Sequence, residues 1–67
     1  SRATIRIYNV AGELVRTLQH DAVKSMAPSI AVWDLKNENR QLVSAGLYFY
    51  HIYSSIGSTQ GRFIVIQ

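Results

Sequence analysis

The chain contains no cysteine, a single proline and a single methionine among 67 residues. Without cysteine there is no disulfide and no thiolate metal site, and two histidines alone do not make a structural zinc centre. The absence matters because domains below roughly 70–80 residues usually need a disulfide, a metal or a partner to supplement a small core. Long apolar runs are missing as well, and nothing approaches the ~18 consecutive residues that cross a bilayer as a helix. Charge of one sign is also scarce. Seven basic against four acidic residues leave a net charge of +3. The basic residues Arg2, Arg6, Arg16, Lys24, Lys36, Arg40 and Arg62 are scattered, with no two adjacent. A linear basic stripe of the kind that tracks nucleic acid is therefore absent, and a solvated, mixed surface with no nucleic-acid partner is expected.

What is present points to a folded single domain over residues 1–67. Apolar residues make up 48% of the chain and charged residues 16%, too apolar a balance for a disordered tail. With so little chain to build a core, completion from outside is expected. Its sources are an upstream part of the same polypeptide, which a first residue other than Met also suggests, or another subunit.

The hydrophobic period is two nearly throughout, the period of half-buried strands. In the run from Ala3 to Val10, Ile5 and Ile7 point one way and Thr4, Arg6 and Tyr8 the other. Gly12 supplies the positive φ of a tight hairpin. A second strand follows from Glu13 to about Gln19, carrying Leu14, Val15 and Leu18, and its imperfect alternation predicts a bulge. Residues 20–29 read as a loop, with a short helical turn over Ala22–Ala27 opposed by Pro28. Ile30–Trp33 reads as a strand covered on both faces. Asp34–Arg40 reads as turns and Gln41–Val43 as a short strand. After the turn at Gly46, Leu47–Tyr53 is the strongest strand, rich in aromatics. Ser54–Gln60 reads as a hairpin loop and Arg62–Ile66 as the last strand. Five or six short strands with frequent turns and no helix predict a β-sandwich or barrel.

Candidate chemistry is thin. His20 in a loop and His51 in a strand lack the elbow serine and orienting acid of a triad. The acids Glu13, Asp21, Asp34 and Glu38 are not drawn together as a glycosidase pair requires. Asp34, Asn37, Glu38 and Asn39 offer oxygen ligands without the spacing of a calcium loop, so Asp34 is read as a turn-capping residue. The aromatics divide by parity into Tyr48 and Tyr50 on one face and Phe49, His51 and Tyr53 on the other. Trp33 is the natural core anchor. An exposed Tyr48–Tyr50 pair would make a sugar platform, the carbohydrate-binding alternative. No enzymatic activity and no cofactor are expected.

The motifs carry a resemblance. Ile5-Arg6-Ile7-Tyr8-Asn9-Val10-Ala11-Gly12-Glu13-Leu14-Val15-Arg16-Thr17-Leu18 resembles an I-x-I-Y-D/N-x-x-G-x-x-V-R-x-L hairpin. Trp33-Asp34 follows, then Gly46-Leu47-Tyr48-Phe49-Tyr50, then the closing run Gly61–Ile66. Together these are similar to the immunoglobulin-like family of type IX secretion C-terminal sorting domains and of the flagellar hook-capping protein. The resemblance implies an immunoglobulin-like β-sandwich whose N-terminal strand lies outside this chain. It further implies a non-catalytic C-terminal sorting or attachment module of a secreted or cell-surface bacterial protein, with a secretion translocon or neighbouring surface subunits as partners. A scaffold domain of a surface filament or appendage is the alternative. The motif residues are Ile5, Ile7, Tyr8, Gly12, Val15, Leu18, Trp33, Asp34, Gly46, Tyr48 and Tyr50. Two departures stand out: where the family places glycine after Trp-Asp and in the next turn, this chain has Leu35 and Arg40. Asn39 is expected to take over the positive-φ position.

Overall fold

The computed structural model describes residues 2–21 and 33–66. Among these residues four strands form one antiparallel sheet: β1 (Arg2–Tyr8), β2 (Leu14–Asp21), β3 (Gly46–Ser54) and β4 (Gly57–Val65). Their order across the sheet is β2-β1-β3-β4. The described residues contain no helix. The all-β class expected from the period-two pattern is observed, and the layer described is one sheet with part of a connection packed on it.

Alternation in β1 sets the faces. Ile5 and Ile7 are buried, Ile7 to 3% exposure, and their neighbours across the sheet follow them inward. Leu18 and Ile52 stand opposite Ile5, while Arg16 and Tyr50 stand opposite Ile7. Tyr48 and Phe63 form the next inner row, then Gly46 and Val65. The buried core is Ile5, Ile7, Val43, Tyr48 and Val65, with Val15, Leu18, Trp33, Leu35, Ile52 and Phe63 packed around it. Fully burying one aliphatic side chain is worth about 1.5–3 kcal/mol, so these four aliphatics and one tyrosine form a small core among the described residues.

β3 lies on the far side of β1 from β2. The described part of the connection between them, residues 33–45, lies on the inner face and contributes Trp33, Leu35 and Val43 to the core. Within it, Lys36 and Leu42 form an isolated antiparallel bridge and Val43 N–H donates to the Leu35 carbonyl at 2.9 Å. The predicted short strand at 41–43 is thus one side of a miniature hairpin.

Several boundaries differ from the sequence reading. β1 stops at Tyr8, and Val10 is exposed in the turn. β2 continues through His20 and Asp21, read as loop, because they pair with Ala3 and Arg2 of β1. The predicted loop 54–60 contracts to a turn at Ser55-Ile56, with β4 beginning at Gly57. Ser58, Thr59 and Gln60 are polar residues of a sheet-edge strand and show no apolar alternation, although they pair with β3 in continuous register. The predicted bulge in β2 is present, as a register shift between Ile7 and Tyr8 opposite Val15. The predicted helical turn at Ala22–Ala27 and the strand residues Ile30–Val32 lie outside the described residues, and Trp33 is not in a strand.

Candidate docking face

Most of the motif residues build the inner face and its turns. Ile5, Ile7 and Tyr48 are core, while Val15, Leu18 and Trp33 pack beside it. Trp33 meets Tyr48 and Phe63 edge-on, at centroid distances of 6.0 and 5.9 Å, and its Nε1–H donates to the Lys36 carbonyl at 3.0 Å. The Tyr48 hydroxyl donates to the carbonyl of Ser44, four residues upstream, at 2.8 Å. Gly46 opens β3 at a φ of 148°. Tyr50 lies across Gly61, its cross-strand partner, near Phe63. Tyr48 and Tyr50 are therefore not an exposed sugar platform: one is core and the other covers a glycine.

Asn9 and Gly12 close the first hairpin. The Asn9 side-chain carbonyl accepts from the N–H groups of Ala11 and Glu13, each at 3.0 Å, and Gly12 takes a φ of 82°. Asp34 has the turn-capping role read from the sequence: its Oδ1 accepts from Lys36 N–H at 3.0 Å. It also holds Arg16, whose Nη1 lies 3.1 Å from the same oxygen and 2.9 Å from the Lys36 carbonyl. Glu38 completes the group: its Oε1 accepts from Thr17 N–H at 2.7 Å and its N–H donates to the Val15 carbonyl at 3.3 Å. The connection is thereby tied to the free edge of β2, the side away from β1. Covering an edge in this way keeps other strands from pairing there. The expected positive φ at Asn39 is not found. Leu35 and Arg40 themselves take it, at 63° and 61°.

The opposite face of the sheet is where side chains gather with nothing laid over them by the described chain. The register sets it out in rows. Leu14, Tyr8, Phe49 and Arg62 form one row across all four strands. Thr17, Arg6, His51 and Gln60 form the next, and Gln19, Thr4, Tyr53 and Ser58 the third. Neighbouring strands sit about 4.8 Å apart, so each row is a continuous contact strip. The Arg6 guanidinium lies 5.3 Å from the Tyr53 ring centroid, a cation–π contact, and the His51 ring lies 4.0 Å from that of Tyr53. Thr4 Oγ1 lies 3.2 Å from Gln19 Oε1. A shallow depression of about 530 Å³ is bordered by Tyr8, Phe49, Tyr50, His51, Gln60, Gly61 and Arg62, at the β4 edge of the sheet. At the Gly46 end, the cross-strand pair Leu47 and Ile64 is exposed, Ile64 to 69%.

Parity in the sequence separates Phe49, His51 and Tyr53 from Tyr48 and Tyr50. It does not reveal that Arg6, Tyr8 and Arg62 come to stand beside them, which requires the pairing register. Chemistry of the bond-making kind finds no constellation here. Glu13 lies in the hairpin turn, Asp34 and Glu38 stand around Arg16, and His51 packs on Tyr53. Among the described residues no group of three or more His, Asp or Glu side chains is placed to hold a metal ion, and no helix is long and apolar enough to cross a membrane. The described neighbours leave the buried Nε2 of His20 without a hydrogen-bond partner.

No protein-family model, no curated protein and no solved structure matches the chain.

Proposed function

We propose that the chain is a non-catalytic, immunoglobulin-like module that sorts or attaches an exported bacterial protein at the cell surface. The observation that carries the immunoglobulin-like part of this reading is the Tyr48 hydroxyl bonded to the Ser44 carbonyl at the entry to β3, and the sorting part rests on the resemblance of the motifs. A tyrosine near the start of strand F, bonded back to the backbone a few residues upstream, is a recurring corner of immunoglobulin-like sandwiches. With β3 taken as strand F, the adjacent antiparallel pair β3-β4 corresponds to the F–G hairpin of such a sandwich. The backbone at Leu35 and Arg40 adds support, because both take the glycine-like φ at the positions where the resembled family has glycine. In this reading the inner face belongs to the sandwich core, a second sheet would complete it, and the outer face meets partners.

The test is export. A reporter protein with an N-terminal signal peptide, fused ahead of this chain, is expressed in a bacterium with a type IX secretion system. The reporter is expected outside the cell or on its surface, and the same reporter without the chain is expected to stay in the periplasm. Equal retention of both would overturn the sorting reading.

A further inference from the structure

The outer face of the sheet combines two chemistries side by side. One half is basic and aromatic: Arg6, Tyr53 and His51, with Arg2 further along β1, while Arg62 stands at the end of the apolar row beside Phe49. The other half is apolar: Leu14, Tyr8, Phe49, Leu47 and Ile64. Of these, Leu14, Leu47, Phe49, Tyr53 and Ile64 are exposed. No lysine and no glutamate stand on the outward positions of the four strands, and the one aspartate position, Asp21, is opposite Arg2 at the corner. Tyrosine, phenylalanine and arginine without lysine or glutamate is the composition of a protein–protein contact core, where Tyr and Arg carry most hot spots.

We infer that this face docks a polypeptide whose contact surface sets carboxylates beside apolar side chains. The charges decide the first half of that statement. Arg6 and Arg62 stand diagonally across β3 and favour an acidic partner surface through charge-assisted hydrogen bonds. The same charges count against a second copy of this chain, because apposing two of these faces sets arginine against arginine. The exposed aliphatics decide the second half. A nucleic acid or an acidic saccharide has use for the arginines and the rings, but neither needs Leu14, Leu47 and Ile64. An apolar patch of this kind marks a protein or a membrane contact, and tyrosine, phenylalanine and arginine without lysine favour the protein. The inference deepens the docking reading given above by naming the face and the partner's chemistry, and its test does not depend on export.

The experiment is an NMR titration of the isotope-labelled chain, carried in the polypeptide that completes its inner face, with a glutamate–tyrosine copolymer, which carries both chemistries. Amide shifts are expected in the outer rows, at Arg6, Tyr8, Phe49, His51, Arg62 and Ile64, with homopolymeric glutamate about tenfold weaker. The double variant Arg6→Glu, Arg62→Glu is expected to keep the dispersed spectrum of the folded chain and to lose at least about tenfold in affinity. Leu47→Ser with Ile64→Ser, which leaves every charge in place, is expected to weaken binding as well. Five outcomes overturn the inference: no binding of the copolymer, shifts elsewhere in the molecule, equal or tighter binding of heparin or oligo(dT), equal or tighter binding of phosphatidylglycerol vesicles, or self-association through this face. Because export plays no part here, a failed titration and a failed reporter assay are separate results.

Discussion

Gly12 and Arg40 occupy the same position in two copies of one loop. In the first copy Asn9 N–H donates to the Glu13 carbonyl and Gly12 N–H to the Asn9 carbonyl, both at 3.0 Å. In the second, Asn37 N–H donates to the Gln41 carbonyl at 2.9 Å and Arg40 N–H to the Asn37 carbonyl at 3.0 Å. Each leading asparagine accepts two further N–H groups on Oδ1: Ala11 and Glu13 on Asn9, Asn39 and Gln41 on Asn37. The amides reach the closing side chains alike, Asn9 to Glu13 at 3.0 Å and Asn37 to Gln41 at 3.3 Å. The fourth residue turns left-handed in both, at 82° for Gly12 and 61° for Arg40.

Only glycine enters that region without steric cost, and a residue with a Cβ loses about 1–2 kcal/mol there. Arg40 is exposed, so its replacement removes little packing. Arg40→Gly is expected to raise the unfolding free energy by about 0.5–1 kcal/mol, the relieved strain less the added entropy of glycine in the unfolded chain. Gly12→Ala is expected to lower it by about 1 kcal/mol, although the new Cβ would meet nothing within 4 Å. Chemical denaturation of the two variants checks both signs. Changes of the same sign would mean that the two loops are not equivalent.

The duplicated loop also shows where sequence reading succeeds and where it stops. Ile5 and Ile7 announce their face by alternation, and Asn9 with Gly12 announce a turn, because side-chain preference and local geometry agree at those positions. At 37–41 they disagree. Asn39 is the better left-handed residue by preference, yet the hydrogen bonds led by Asn37 place the left-handed step at Arg40. Ser58, Thr59 and Gln60 hide a strand, since ladder pairing with β3 rather than an apolar face makes them extended. The outer face is the least legible part. Arg6, Phe49 and Arg62 are unremarkable in their own segments and become neighbours only through the register of three pairings.

Arg16 joins the connection to β2 through a carboxylate and a carbonyl, and the lysine side chain, one bond shorter, does not reach both. The planar guanidinium reaches Asp34 and the Lys36 carbonyl from one nitrogen while its Nε lies 3.6 Å from Glu38. Both carboxylates are more than half exposed, so the ion pairs themselves are screened and worth little. The bond to the half-buried Lys36 carbonyl is the larger part. Arg16→Lys is therefore expected to destabilise by about 1 kcal/mol, and the loss should persist in ~1 M salt, where surface pairs are screened out. A loss that vanished in salt would assign the role to the exposed carboxylates.

Tyr48 is held by its ring and by its hydroxyl, and the two contributions separate cleanly. Its ring stacks on Phe63 at 6.0 Å and meets Trp33 edge-on, contacts that phenylalanine retains. The hydroxyl bond to the Ser44 carbonyl is lost in Tyr48→Phe. One hydrogen bond of this type contributes about 1 kcal/mol net, and the freed carbonyl belongs to an exposed residue that water can reach. A loss of about 1 kcal/mol is expected in thermal or urea unfolding, with Trp33 fluorescence of the folded state unchanged. A shift in that fluorescence would show that the hydroxyl also positions the aromatic cluster.

Gly61 makes the last prediction, because its partner has taken the space a side chain would fill. A Cβ built there would lie 2.6 Å from Tyr50 Cζ and 2.7 Å from its Cε2, well inside contact distance. The tyrosine ring covers a glycine in the interior of an edge strand, where missing side-chain packing would otherwise weaken the sheet. In Gly61→Ala the ring has to swing away, giving up its approach to Phe63 at 6.2 Å. A destabilisation of about 1–2 kcal/mol is expected, the usual scale of overpacking. In a Tyr50→Leu background the ring is gone and the alanine relieves the entropic handicap of glycine in a strand, about 0.5–1 kcal/mol. The same substitution is then expected to be neutral or stabilising. A double-mutant cycle of Tyr50→Leu and Gly61→Ala reads this sign change as a coupling energy, and additive effects would show that ring and glycine are independent.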